Sequence, residues 1–215
     1  MNTILVPKTN FDQAWAGELL EEVFMPDSKV LIFHFSESHE FDFISFDYEE
    51  DIIRPFLTYG IKKNNIVVIN PYLEESERIQ YLLEKDFDVV CFVGNDPYEV
   101  GLYLEDYGIK ESISNYEGTL LWVGEVGYLA CETFGEGYPG LGLLDQIEID
   151  LNYRHEEDHL SRVIRLLEMG ASEVVLIPEE GGLIALSHYY DIFGQAMIVI
   201  EKDLDMLYQM YESCF

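Results

Sequence analysis

The sequence predicts an α/β fold, a mostly parallel sheet flanked by helices on both faces, built as a single domain over residues 1–215. Three observations lead there. Short apolar runs rich in β-branched and aromatic residues, such as 29–35 (KVLIFHF) and 89–93 (VVCFV), read as strands buried on both faces. Longer helical stretches separate such runs, which is the alternation of βαβ units. The 215 residues, 48% of them hydrophobic, suffice for one sizeable core, and no internal repeat, low-complexity tract or linker divides them.

In chain order, Ile4 to Val6 is a short first strand and Asp12 to Phe24 an amphipathic helix ending before Pro26. The strand of Lys29 to Phe35 leads to an acidic loop from Ser36 to Asp47, carrying Glu37, His39, Glu40 and Asp42. A helix follows over Tyr48 to Tyr59, with Pro55 expected in its first turn or at a kink. Next come a strand (Asn65 to Ile69), a helix (Leu73 to Glu84), the strand of Val89 to Val93, and a helix from Pro97 to about Tyr107. Beyond Ala130 the pattern loosens. Phe134 to Gly142 is a glycine-rich loop, Gln146 to Asn152 a strand, and His155 to Met169 contains a helix with Leu160, Val163, Ile164 and Leu167 on one face. Glu173 to Ile177 is a strand, Pro178 to Gly182 a turn, and Leu183 to Leu186 with Ala196 to Glu201 a terminal pair of strands before a last helix capped by Asp203.

Composition restricts the functional classes. Asp and Glu number 42 against 12 Lys and Arg, a formal net charge of -30. Such a surface repels nucleic acid and anionic membranes, whose phosphates require clustered cations. The acidic residues are spread along the chain, as on a solvated surface, instead of forming one tail. No apolar run approaches the roughly 20 residues of a membrane span, and residues 1–8 lack the basic and apolar regions of a signal peptide. Cys91, Cys131 and Cys214 have no CxxC spacing, so free thiols in a reducing, cytoplasmic compartment are expected, with Cys91 and Cys131 buried.

One stretch carries the pattern of a site, 118–130 (GTLLWVGEVGYLA). Leu120, Leu121 and Val123 form a strand, Gly124 and Gly127 permit a sharp reversal, and Tyr128 to Cys131 begins a helix. Strand, tight turn and helix in that order make a nucleophile elbow, which lifts one side chain to the top of a sheet. Here that side chain is Glu125, where a hydrolase carries Ser or Cys. A plain βα turn with a solvated Glu would give the same string.

Several strings in the same order resemble a known family. Val93 to Tyr98 (VGNDPY), followed by Leu102 and Leu104, is similar to a Gly-Gly-Asn-Thr-Phe segment. Trp122 to Tyr128 falls where that family has a Gly-x-Ser-Ala-Gly elbow. Leu141 to Leu144 (LGLL) with Ile147 to Tyr153 resembles its Leu-Gly-Leu-Leu segment, which leads to Pro-His-Tyr. The family resembled is that of the S51 serine peptidases, the dipeptidase E and cyanophycinase group. The resemblance spans roughly residues 29–201 and implies the class I glutamine-amidotransferase-like fold, a flavodoxin-like three-layer architecture.

The catalytic positions that the resemblance implies do not match. The Ser position is Glu125, followed by Val126 and Gly127, and the elbow's first Gly falls on Val123. The His position is Asn152, within 150–153 (DLNY), and Asn cannot accept a proton at neutral pH. After Gly94, the second Gly of the segment, a donor to the oxyanion in the family, matches Asn95, and the next position is Asp96, a negative charge where a carbonyl oxygen would become negative. Gly94, Asn95, Asp96, Glu125, Gly127 and Asn152 therefore form the expected pocket, with no catalytic residue among them and the Glu125 carboxylate turned against anionic ligands.

Other strings are weaker. His155 to His159 (HEEDH) matches the HExxH pattern, in which two His on one helix face hold zinc with Glu156 as base, but a solvated helix start explains it equally and no third ligand is evident. His34 reads as a core histidine, His188 has no visible partner, and neither Ser36 nor Ser38 has a visible base. The expected function is that of a catalytically degenerate peptidase-like protein, binding a small molecule or peptide or serving a structural role, without cofactor or metal. The alternative is a hydrolase of small peptides that works through other residues or a metal at the HEEDH string.

Overall fold

The computed structural model describes residues 2–16, 20–21, 23–35, 46–135, 137–144, 147–186 and 189–215, with residues 46–50 described by backbone alone. The acidic-loop residues Glu37, His39, Glu40 and Asp42, together with Ser36, Ser38, Gln146 and His188, lie outside the described residues. The first half of the chain runs β1 (Asn2–Val6), β2 (Val30–His34), α1 (Phe46–Thr58), β3 (Ile66–Ile69), α2 (Ser76–Leu83), β4 (Val89–Val93), α3 (Pro97–Asp106), α4 (Lys110–Ser114) and β5 (Thr119–Val123). The second half runs β6 (Thr133–Phe134), β7 (Tyr138–Pro139), β8 (Glu148–Leu151), α5 (Glu157–Glu168), β9 (Glu173–Ile177), β10 (Gly181–Leu186), β11 (Tyr189–Gly194), β12 (Met197–Ile200) and α6 (Leu204–Glu212).

The main sheet has seven strands in the order β11-β10-β1-β5-β4-β2-β3. β1, β5, β4, β2 and β3 are parallel, and β10 and β11 join antiparallel beyond β1. Every residue of β2, β4 and β5 is buried, as strands covered on both faces require. Alternate residues serve opposite faces. Leu5, Phe33, Phe92 and Trp122 enter one core, while Ile4, Ile32, Cys91 and Leu121 enter the other. Register pairs Phe33 with Phe92 and Phe92 with Trp122, so their rings stack across three strands with centroids 5.1 and 4.5 Å apart.

A smaller sheet, β12-β9-β8, packs against this body through Ile149, Leu151, Val175 and Ile177. Val175 and Ile177 of β9 face the main core, whereas Val174 and Leu176 pack against Leu160, Val163 and Leu167 of α5 and Leu207 of α6. The apolar face read for α5 is therefore its buried face. Among the described residues no helix is long and apolar enough to cross a membrane.

Several expectations need correction. Of the helix expected over 12–24, residues 12–16 form turns, residues 17–19 and 22 lie outside the described residues, and Ala16, Leu20 and Phe24 are buried in the core that also holds Phe11. Of the two places expected for Pro55, the first turn is ruled out, since Pro55 lies inside α1 nine residues after its start. The stretch 73–84 splits into a 3₁₀ turn at Pro71–Leu73 and α2, because Asn70 accepts a hydrogen bond from the Tyr72 N–H and caps the turn first. The expected terminal strand pair does not form. β10 pairs with β1 and with β11, a strand that sequence reading missed, while β12 pairs antiparallel with β9. The Asp203 carboxylate accepts from the Ile200 N–H at 3.0 Å, tying the turn before α6, and gives α6 itself no side-chain cap.

Candidate functional site

The loops after β4 and β5 interlock. The Gly94 N–H donates to the Val123 carbonyl, the Gly94 carbonyl accepts from the Val126 N–H, and the Gly124 N–H donates to the Val6 carbonyl. Gly124 has φ 90° and ψ -164°, a conformation essentially restricted to glycine. A Cβ there would lie 2.4 Å from the Gly94 oxygen and 2.8 Å from Asn95 Oδ1. At Gly127 a Cβ would meet Leu151 and Leu5, each at 2.9 Å. These glycines hold backbone in close approach, and the turn they form exposes Glu125 while Val126 to Ala130 are buried.

The helix after the turn is a 3₁₀ segment, Glu125–Ala130, and Cys131 is already extended, where the sequence suggested the start of a longer helix. Its carbonyls are taken by the chain that returns over it. Leu129 accepts from the Leu141 N–H, Ala130 from those of Leu143 and Leu144, and Cys131 from that of Gly142. An α-helix would have used those groups itself.

Glu125 opens onto a cleft of about 360 Å³ whose walls include Asn95, Asp96, Tyr128, Phe134 and Arg162. Asp96 caps α3, its carboxylate accepting from the Glu99 N–H at 2.9 Å, with Pro97 in the first turn. Asn95 does not take positive φ. The one non-glycine residue that does, among those described, is Asn152 at 57°. Asn152 does not line the cleft, and it turns the chain out of β8. The structure thus lines one cleft with Glu125, Asn95 and Asp96, and leaves Gly94, Gly127 (packed against Leu5 and Leu151) and Asn152 out of its walls. Among the described residues no Ser, Thr or Cys lines the cleft. Cys131 is buried, and burial pushes its thiol up to about 12.

Behind the cleft lies a network that sequence reading missed. Asp150 is fully buried on β8, and His159 Nδ1 is 3.1 Å from both of its carboxylate oxygens. Arg162, one turn along α5 from His159, donates to the Tyr128 hydroxyl at 2.7 Å and stands 3.7 Å from Asp150. The Tyr128 hydroxyl also accepts from the Leu151 N–H at 2.9 Å and donates to Asp150 at 3.3 Å. Burial raises the Asp150 pKa above the ordinary carboxylate value, with Arg162 and His159 pulling the other way. Burial likewise raises that of Tyr128, which therefore keeps its proton at neutral pH. The i, i+3 spacing of His159 and Arg162 was the available signal, but their buried partner on β8 is not visible from it.

The HEEDH string does not form the two-histidine helix face. α5 begins at Glu157, so His155 and Glu156 precede it, and His155 is exposed while His159 is engaged with Asp150. Among the described residues no three His, Cys, Asp or Glu side chains converge as metal ligands.

The architecture is a three-layer α/β fold with a strand–turn–helix elbow after a central parallel strand. That fold is shared with peptidase E structures. A candidate peptidase E from Listeria monocytogenes EGD-e is similar at a TM-score of 0.65 with 14% identity, over 89% of this chain and 96% of that one. A peptidase from an acI-B1 Actinobacterium is similar at 0.64 with 15% identity, over 93% of this chain and 89% of that one. No protein-family model and no curated protein matches the sequence.

Proposed function

We propose that this chain is a peptidase E-like protein without peptidase activity, which holds a small molecule or short peptide in the cleft above Glu125. The observation that carries the reading is the side chain at the elbow apex. Gly94 and Gly124 keep a backbone that presents one residue to the cleft, and that residue is a carboxylate. Serine-type acyl transfer requires a hydroxyl or thiol with a base in hydrogen-bond reach. No Ser, Thr or Cys lines the cleft among the described residues, its hydroxyls belong to Tyr98 and Tyr128, and Asn152 could not serve as base. Aromatic walls with a few converging polar groups suit ligand binding. The acidic surface disfavours nucleic acid, and three free cysteines fit a cytoplasmic setting.

The Asp150–His159 pair favours a second reading, hydrolysis with an imidazole base oriented by a buried carboxylate. Against it, Tyr128 and Arg162 line the cleft and His159 does not. Treatment with a fluorophosphonate followed by intact-mass measurement separates the two for a serine mechanism. Unmodified protein is expected, and Glu125→Ser should also stay inactive, because its hydroxyl would lack a base. Stoichiometric labelling of one serine in the natural chain would overturn the proposal.

A further inference from the structure

Behind the Tyr98–Phe134 wall of the cleft lies a second chamber, of about 120 Å³. Leu104 and Leu129, both buried, form its inner end, and its rim carries Leu102 and Tyr138, which are 63% and 52% exposed. Large apolar groups left in water around a concavity are the surface that an apolar occupant covers. The walls are set by the chain itself. The Leu141 N–H donates to the Leu129 carbonyl at 2.8 Å, and the Gly140 N–H to that of Glu132 at 2.9 Å. Gly140 is held so close that a Cβ would lie 2.0 Å from the Cys131 oxygen. On the opposite side α3 contributes Gly101, where a Cβ would already stand 3.2 Å from Leu129. Glycine there lets α3 approach and places no side chain in the space. Tyr98 and Tyr138 meet edge to face with centroids 4.6 Å apart, and Phe134 lies 5.1 Å from Tyr98. Rings in such tilted arrangements offer faces and edges to a further ring.

Size and charge select the occupant. An engineered apolar cavity of about 150 Å³ takes up benzene, so a chamber of about 120 Å³ with an open rim suits one six-membered ring. Lys110 and Glu105 also line it, and they pair with each other at 3.5 Å. Among the described residues the lining thus carries one cation and one anion, which cancel. A charged ligand would give up hydration without gaining a counter-charge of its own, and the formal charge of -30 adds a general repulsion of anions. We propose that this chamber is a binding site for a small neutral molecule built on a single aromatic ring, entered at Leu102 and Tyr138. The site is separate from the cleft and does not depend on what the cleft holds.

The test is an NMR titration of the full chain, following leucine methyls and backbone amides, with benzyl alcohol, cyclohexylmethanol, benzoate and benzylamine. Benzyl alcohol should bind with a Kd of about 1 mM or tighter, within reach of so small a molecule. It should shift the Leu104, Leu129 and Leu141 methyls and leave the Asn95 and Glu125 amides in place. Cyclohexylmethanol, similar in size without the π system, should bind several-fold more weakly. Both charged probes should bind about tenfold more weakly or worse. Leu102→Asp, a change at the exposed rim, should weaken benzyl alcohol about fivefold or more. Glu105→Gln releases Lys110 and should improve benzoate relative to benzyl alcohol about two- to fivefold, the worth of one exposed ion pair. Shifts centred on Asn95 and Glu125, equal binding of cyclohexylmethanol, or tightest binding of a charged probe would overturn the assignment. So would no gain for benzoate in Glu105→Gln, or no binding of any probe. A dimer in sedimentation that Leu102→Asp splits would also overturn it, by making a second copy of the chain the occupant.

Discussion

Most residues singled out around the pocket have a backbone task that local sequence encodes. Asp96 is a helix cap, and Asp-Pro followed by Glu99 carries that signal in the sequence. Asn152 occupies a left-handed turn that Asn tolerates, which explains an Asn there without reference to chemistry. Glu125 was legible because glycine precedes an exposed position at a strand end. Asp150, by contrast, was hidden. A buried acid on a strand is intelligible only once a helix supplies His159 and Arg162, a pairing that period and spacing do not encode. His34 was read correctly as a core histidine, and burial lowers its pKa from 6.5 to about 4. The unfolded chain then takes up a proton near 6.5 and the folded chain only near 4, so stability present above that window is lost as pH falls through it. This contribution amounts to about 2 kcal/mol by pH 5. In urea unfolding, the stability of the natural chain relative to His34→Gln should therefore fall by about 2 kcal/mol between pH 7 and pH 5. A difference that stays constant across that range would contradict it.

At the scale of elements, the fully buried strands were legible because burial on both faces writes a continuous apolar run, as in β2, β4 and β5. β11 was not, since its residues are half-buried or exposed and Tyr-Tyr-Asp-Ile-Phe-Gly shows no run. The helix after β5 was misjudged because its length is decided by long-range hydrogen bonds from 141–144, not by its own propensity. The interlocked elbow makes a sharp prediction. Gly124→Ala combines a glycine-only backbone with a Cβ 2.4 Å from a carbonyl oxygen, so the adjoining loops must move. The backbone term alone costs about 1–3 kcal/mol, and the clash should carry the total to about 3 kcal/mol or more. Gly142→Ala is the control: φ is also positive, at 63°, but its Cβ would meet nothing within 4 Å, so only the backbone cost applies. Chemical denaturation should find Gly124→Ala clearly the more damaging of the two. Equal losses would mean that the loops after β4 and β5 are not locked together.

The whole molecule combines a fold shared with peptidase E structures with a surface of formal charge -30. Its described ion pairs, such as Arg54–Asp51 and Lys62–Asp27, lie largely in water, where each contributes little. Self-repulsion among the excess carboxylates should destabilise the compact state at low ionic strength, and salt should relieve it. The thermal midpoint near neutral pH is expected to rise from low to moderate sodium chloride, and a flat or falling midpoint would indicate charges already spaced well enough to be harmless. The central claim concerns the cleft, where the elbow geometry persists around a carboxylate. Its most direct test is turnover. Purified protein should be incubated with a dipeptide panel that includes Leu-Gly and Asp-Gly, once with chelator and once with added zinc, and products followed by mass spectrometry. The account predicts no release of free amino acids above the buffer control under either condition. Release that disappears in Glu125→Gln or His159→Ala would contradict it and make the cleft an active site.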